Sequence, residues 1–515
     1  MRKIHQKKIL EILGSLREAQ KAGLFADCQE GAISIGEFIE GIEGDGTQTV
    51  ALLESYCETL YKASIGEAGE KALERQLLRV ENSVKNELKP TKIEVVFLSY
   101  KASMSDSLES IYLAAKEDPD CDAYWIPIPY FDRNTDGSAK VMHYEGAQWY
   151  DEKIVCTDWQ KYNIEERRPD AIFTFNPYDD QNYVTSIHTT YYCSRLREQT
   201  DMLVYVPYLV HNEYMNSNFA TVPGTFYSDK VILQSESIRQ QYIAAIKSNL
   251  DDVDTHILEE KIVALGSPKA DKVINLQKEN IQICDEWREI LHTPGSEKTI
   301  VLYNTTIDAA LVNTMPDKGD LYLKKVKAVI EYFTGHPKAV LWWRPHPLLT
   351  TTMNSMRPHL YSEYIGIVNE FVEQKIGIYD TTADMYSAIA YADMCYGDSS
   401  SLNLLLQLIG KPVLIQNKKY FHEKSELEIT AETIERVMNT FIDKQHKNNY
   451  ILYEAEEATT EGFTLEGVIE YLPIIKKYGE QQSSKFRTLY ENADGTAGQK
   501  VYDYIKAILR RQIGE

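Results

Sequence analysis

Residues with chemical potential gather at the ends of apolar runs rather than inside them. The sharpest case is Asp398-Ser399-Ser400-Ser401, which follows the apolar run 394–396 and Gly397 and precedes the apolar stretch 402–409. Gly410-Lys411-Pro412 ends that stretch, and a β-type run, Val413-Leu414-Ile415, comes next. The order spells strand, tight turn, helix, glycine stop, strand. Asp and Ser at a helix start satisfy orphan backbone N–H groups, and a helix N-terminus at the carboxyl end of a parallel strand favours anions. One cap needs one hydroxyl. Three hydroxyls beside a carboxylate favour a phosphate or diphosphate ligand over a plain capped core helix.

Three other strand ends carry polar groups of the same kind. Leu341-Trp342-Trp343 runs into Arg344-Pro345-His346-Pro347, where prolines stiffen a guanidinium fork suited to phosphate and an imidazole able to donate or transfer a proton. Gly266-Ser267-Pro268-Lys269 offers a turn and an ammonium, and Tyr303-Asn304-Thr305-Thr306 offers neutral hydrogen-bonding groups.

Earlier in the chain the strand-end loops are Ser99-Tyr100-Lys101, Asn176-Pro177-Tyr178-Asp179-Asp180-Gln181-Asn182 and Tyr205-Val206-Pro207-Tyr208, continuing to His211-Asn212-Glu213. Aromatics, amides and acids of this type suit a hydroxylated acceptor. Asp179, Asp180, His188 and His211 are the general-base candidates for an attacking hydroxyl. The bland alternatives are a solvated Asp pair and two structural histidines.

The elements that must position these groups follow from periodicity. Residues 1–90 read as a helical extension. From residue 92, strands at 93–98, 123–128, 171–175, 203–206 and 230–234 alternate with helical segments such as 106–116, and a loop rich in Pro, Tyr, Asp and Asn runs through Gly137. A second series begins near Lys261, with strands at 262–265, 299–303, 339–343, 377–379, 394–396 and 413–416. Two doubly wound α/β domains in tandem are expected, spanning 91–245 and 246–475, with a hinge between Ser235 and Lys261. Helices over 476–515 are expected to pack back on the first domain. A cleft between two sets of strand C-terminal ends is where ligands bind in such folds.

Composition narrows the function classes. A chain of 515 residues exceeds one ordinary core. A formal charge of −22 argues against a nucleic-acid binder. Seven cysteines without a CxxC pair fit reduced thiols and no zinc site. No run is long enough for a membrane span, so a cytoplasmic protein is expected. The basic amphipathic start, with Arg2, Lys3, Lys7 and Lys8 around Ile4, Ile9 and Leu13, is of a type that can lie on the inner face of a membrane; packing on its own protein is the favoured reading. Walker A, GxGxxG, GxSxG and HExxH sequences are absent.

As an ordered set, Arg344-x-His346-Pro347, a helix led by Asp384, Asp398-x-Ser400-Ser401, and Lys411-Pro412 resemble the CDP-glycerol glycerophosphotransferase family, the teichoic-acid primases and polymerases of Gram-positive bacteria. Gly266-Ser267-Pro268-Lys269 is similar to that family's Gly-x-Pro-Arg turn. The resemblance covers roughly residues 200–425. It implies a GT-B fold, a CDP-activated polyol donor in the C-terminal domain, no further cofactor, and transfer of phosphoglycerol to a hydroxyl of a glycan or lipid-linked acceptor. Carried over, Arg344, His346, Ser400 and Ser401, with Asp398, Ser399, Lys269 and Asp384 around them, would hold the donor, and Asn304, Thr305 and Thr306 would lie near the nucleotide. There are departures. The family's His-Gly-Thr-Pro-Leu-Lys stretch is replaced around His211 by a sequence without the glycine or lysine, and its Ala-Pro-Thr-Trp-Arg loop by Tyr303–Thr306. A nucleotide-sugar glycosyltransferase or epimerase of the same fold, and a catalytically silent binding protein, are the alternative readings.

Overall fold

The computed structural model describes residues 1–134, 136–182, 185–211, 215–250, 254–292, 297–307, 318–382, 384–416, 451–453 and 464–512. The segment Ile93–Ser99 (β1) is buried at every position, which is what a strand covered by helices on both faces of a parallel sheet requires. It pairs in parallel with Cys121–Pro127 (β2) on one side and with Ala171–Thr174 (β5) on the other. Met202–Tyr205 (β7), Lys230–Leu233 (β8) and Ile262–Ala264 (β9) complete a six-stranded sheet of order β2-β1-β5-β7-β8-β9. Phe97 at its centre stacks on Phe173 (4.9 Å) and Trp125 (6.1 Å).

The second sheet has the order β12-β11-β10-β13-β14-β15. Its strands are Thr299–Thr305 (β10), Ala339–Pro345 (β11), Gly377–Tyr379 (β12), Met394–Gly397 (β13), Val413–Ile415 (β14) and Ile451–Tyr453 (β15), all parallel. The chain steps outward from β10 in one direction through β12, then resumes on the other side of β10 at β13. The crevice between β10 and β13 is therefore a topological switch point.

Strand β9 corrects the expected hinge. Read as the first strand of the second domain, it instead extends the first sheet by pairing with β8, Ile232 opposite Val263. Strand–helix alternation continues across the boundary without a break, and only pairing reveals which sheet a strand joins.

The region read as a loop through Gly137 also differs. Tyr130–Arg133 (β3) and Ala139–His143 (β4) form a hairpin that joins Thr185–Ile187 (β6) in a small antiparallel sheet of order β4-β3-β6. The strands are short and their apolar residues stand side by side, Tyr130-Phe131 and Val141-Met142, rather than alternating, so hydrophobic periodicity misses them. A turn signal exists: Asp136-Gly137, where Gly137 has φ +84° and its N–H bonds Asn134 O.

Four helices, Lys3–Lys21, Phe25–Glu43, Gln48–Ser64 and Glu70–Asn86, pack around one apolar core. Ile9, Leu13 and Leu16 of the basic first helix are buried there. Arg2 is buried between this bundle and the first sheet, meeting Glu94 (3.1 Å), Asp170 (3.3 Å) and the Arg167 and Arg168 carbonyls. Glu94, a carboxylate within a buried strand, is offset by Arg2, Arg167 and the Tyr162 hydroxyl. Among the described residues no helix is long and apolar enough to cross a membrane.

At the other end, Leu472–Arg487 stays with the second domain, Arg487 donating to Leu408 O (2.6 Å). The chain then returns over Glu491 and Asn492, which bond Gln234 O and Leu265 O. The helix Ala497–Gln512 inserts Val501, Tyr502, Ile505 and Leu509 into the first domain's core. Two doubly wound parallel sheets with a returning C-terminal helix make a GT-B-like α/β architecture.

Candidate functional site

The carboxyl edge of the second sheet brings five strand ends into one row. Asn304 of β10 lies opposite Arg344 of β11 on one side and opposite Gly397 of β13 on the other. Gly397 has φ +136°, and a Cβ there would stand 2.1 Å from Asn304 O, so only glycine permits this approach. Asp398 N–H then donates to Asn304 O (2.9 Å). The Asn304 amide donates to Ser400 Oγ (2.9 Å) and Asp398 O (3.2 Å). Asp398 Oδ2 accepts from Thr306 N–H (2.7 Å) and its hydroxyl (3.2 Å). The four residues form a cross-braced turn at the switch point.

That bracing leaves the helix Ser401–Leu408 without a side-chain cap, since Ser400 Oγ is engaged by Asn304. Ser399 and Ser401 are exposed beside it. An uncapped helix terminus with two exposed hydroxyls is a neutral-donor anion cradle. Thr305 stands apart from it: buried, it accepts the Trp343 indole N–H (3.3 Å) and belongs to the core.

Arg344 is at the neighbouring strand end, and most of its charge is already matched. Its guanidinium meets the fully buried Asp380 at 2.7 Å and donates to Thr382 O (2.8 Å). Asp380 also accepts from Trp342 Nε1 (3.0 Å) and from the Thr382 amide and hydroxyl. The fork expected for phosphate thus braces Asp380 and Thr382, just past β12. His346 is exposed, its Nδ1 accepting Leu348 N–H (3.2 Å) and its own N–H bonding Thr305 O (2.8 Å); a neutral ring so held carries its proton on Nε2. Asp384 caps the helix Tyr386–Tyr391 through the Tyr386 amide (2.9 Å) and the Ser387 hydroxyl (2.7 Å).

Two cations are structural: Lys269, expected to hold the donor, and Lys411 of the Lys-Pro motif. Lys269 lies in the first turn of the helix Pro268–Ile274 after β9 in the first domain, buried, with its ammonium 2.6 Å from Asp106. Tyr386 of the second domain donates to the same carboxylate. The glycine of that turn answers to packing: Gly266 has φ +96°, and a Cβ would meet Glu491 O at 2.3 Å. Lys411 caps the far end of helix Tyr386–Tyr391, donating to the carbonyls of Ile389, Ala390 and Ala392 at 2.6–2.9 Å.

The four base candidates of the first domain do not converge. Asp179 (φ +48°) is buried and accepts from the Cys193 (2.7 Å) and Ser194 (3.3 Å) amides, capping the short helix Cys193–Leu196; burial pushes its carboxyl up. Asp180 is exposed in the same turn. His188 uses Nδ1 to accept Thr190 N–H (3.4 Å) and lies among Phe131, Trp159 and Tyr191. His211 is the one nearest the second domain, because its neighbour Val210 joins that domain's core. Its Nε2 is 3.0 Å from the Tyr242 hydroxyl, and Gln234 clamps its backbone from both sides (2.6 and 2.9 Å). Burial brings its pKa down to about 4, and the adjoining cavity, about 10 Å³, has room for roughly one water. Asn212 and Glu213 lie outside the described residues.

Asp380, Thr382 and Tyr386 were not singled out from sequence. Asp380 directly follows a strand, a position that deserved the same scrutiny as Asn304.

No protein-family model matches the chain, and no curated protein sequence matches it. Solved structures do resemble it. A putative UDP-N-acetylglucosamine 2-epimerase from Listeria monocytogenes gives a TM-score of 0.45 at 13% identity, over 82% of this chain and 97% of that one. The wall teichoic acid polymerase TagF gives 0.45 at 14% identity, over 90% and 99%. MnaA from S. aureus, solved with UDP, gives 0.44 at 11% identity, over 81% and 97%.

Proposed function

We propose that the chain is a transferase that moves a phosphopolyol, phosphoglycerol first among them, from a CDP-activated donor to a hydroxyl of a cell-envelope glycan or lipid-linked acceptor. The observation that carries this reading is the cradle at the second sheet's switch point, where Asn304, Thr306, Asp398 and Ser400 hold an uncapped helix terminus open to an anion. The ordered motif set Arg344-x-His346-Pro347 and Asp398-x-Ser400-Ser401 supports the choice of donor class.

In this reading the donor diphosphate lies over the terminus of helix Ser401–Leu408, with the Ser399 and Ser401 hydroxyls and His346 as further donors. Arg344 acts through the loop it braces. Preorganised N–H and O–H dipoles stabilise charge that develops on the phosphates as the acceptor oxygen attacks the β-phosphorus and CMP leaves.

Incubation of the protein with CDP-glycerol and a panel of polyol and glycan acceptors tests this directly. Acceptor-dependent CMP release is expected. UDP- and GDP-activated ligands in the same assay separate the reading from a nucleotide-sugar enzyme; turnover of those alone overturns it.

A further inference from the structure

Transfer to a hydroxyl needs a proton acceptor in the first domain, and its four sequence-derived candidates are capping, exposed in a turn, or walled in. The hairpin β3–β4 supplies a better one. Tyr130 pairs in register with His143, and an irregularity in the ladder between Phe131 and Arg133 leaves Asp132 beside the same histidine. His143 Nε2 lies 2.7 Å from Asp132 Oδ2, and its ring stacks on Tyr130 at 5.1 Å and 25°. An imidazole whose Nε2–H is donated to a carboxylate presents a lone pair on Nδ1. The His143 side chain is 38% exposed, and among the described residues Nδ1 has no hydrogen-bond partner.

This part of the hairpin is applied to the carboxyl end of the first sheet. Tyr130 donates to Glu145 Oε1 (3.1 Å), and Glu145 Oε2 accepts the Ala102 amide (2.8 Å), just past β1. Lys101 Nζ stands 5.0 Å from the centre of the Tyr130 ring, and Tyr100 bridges Tyr130 (5.5 Å) and Phe175 (5.4 Å), just past β5. The chain leaves β1 toward β2 on one side and returns to β5 on the other, so this is the first sheet's own switch point, where a ligand is expected. The same post-β1 segment runs on to Asp106, which receives Tyr386 of the donor domain.

We infer that His143, oriented by Asp132, is the general base for the acceptor hydroxyl, in a site for a polyhydroxylated acceptor built on Tyr130, Lys101 and Glu145. This rests on the transfer reading above. The acceptor oxygen forms a bond to the donor β-phosphorus while His143 Nδ1 takes the hydroxyl proton. The bond from that phosphorus to the bridging oxygen breaks, and its electron pair leaves with CMP. Asp132 stabilises the imidazolium so formed; Asp132 is a positioning residue.

The test measures CMP release and CDP-glycerol binding for the wild type, His143→Gln, Asp132→Asn and Asp132→Glu, with circular dichroism to confirm folding. His143→Gln is expected to lose about 100-fold or more in kcat with CDP-glycerol affinity kept within about twofold. Asp132→Asn is expected to lose about tenfold or more in kcat at unchanged acceptor KM, and Asp132→Glu to recover part of it. A wild type that releases CMP, with His143→Gln within about threefold of it, overturns the inference and leaves the transfer reading standing. A wild type that neither binds CDP-glycerol nor releases CMP overturns the transfer reading, and the inference with it.

Discussion

His211 shows how burial decides what a conspicuous residue can do. Its ring is enclosed by Phe219 and Tyr242, and burial brings its pKa from 6.5 to about 4. A base that weak takes a proton poorly at neutral pH, whereas a neutral ring accepting or donating to Tyr242 is a sound structural element. The sign of the linkage follows. The unfolded chain protonates this histidine near pH 6.5 and the folded chain only near pH 4, so its stabilising contribution is whole above 6.5 and declines as pH falls toward 4. The total is about 3 kcal/mol. Urea unfolding at pH 7, 5.5 and 4.5 checks this: the wild type should lose stability over that range, and His211→Gln should lose about 2 kcal/mol less. Parallel losses in the two proteins would contradict it. Arg344 teaches the same lesson from the opposite side, since the Asp380 that matches its charge is invisible to a motif centred on Arg-x-His-Pro.

At the scale of elements, the sequence was most readable where strands are wholly buried. β1, β10 and β11 run as continuous apolar segments, and the Gly397–Gly410 interval carries its start and stop residues in order. It was least readable where pairing, not propensity, decides. β9 looks like any buried strand and joins the first sheet only because β8 lies beside it. The β3–β4 hairpin, which carries His143 and Asp132, is too short and too exposed to show a period. The Gly-Ser-Pro-Lys turn looked like a ligand loop, but its glycine accommodates the returning chain at Glu491. Gly266→Ala therefore should cost about 2–3 kcal/mol, combining a disfavoured positive φ with overpacking. Hydrogen exchange should rise in residues 490–498 before it rises in the second sheet. An unchanged unfolding midpoint with unchanged exchange there would refute this account of the turn.

Across the described residues, a buried contact at Asp106 joins the two carboxyl edges. Asp106 begins the helix after β1, Tyr386 begins the helix after β12, and Lys269 comes from the first turn of the helix after β9. Glu109 with Lys272 (2.6 Å), and Ser110 with Asp271 (2.9 Å), fasten the helix after β9 to the helix after β1 within the first domain, and Lys272 Nζ stands 4.7 Å from the centre of the Tyr386 ring. Asp271 also accepts the Ala497 and Gly498 amides, so the returning helix is tied in at the same place. Thr382 and Asp384 link Tyr386 to Arg344, since Thr382 O accepts from Arg344, its hydroxyl donates to Asp384 O, and Asp384 accepts the Tyr386 amide; Arg344 in turn sits in register with Asn304. The switch-point turn, the contact at Asp106 and the post-β1 segment thus form one connected structure, as the proposed transfer between substrates held by different domains requires. The central claim is that the switch-point cradle holds a CDP-activated polyol. Calorimetric titration of CDP-glycerol into the wild type and Asn304→Ala tests it most directly. The account predicts saturable binding by the wild type and an affinity about tenfold lower in the variant, the loss of one hydrogen-bonded brace. Equal affinities in the two proteins, or no binding by the wild type, would contradict it.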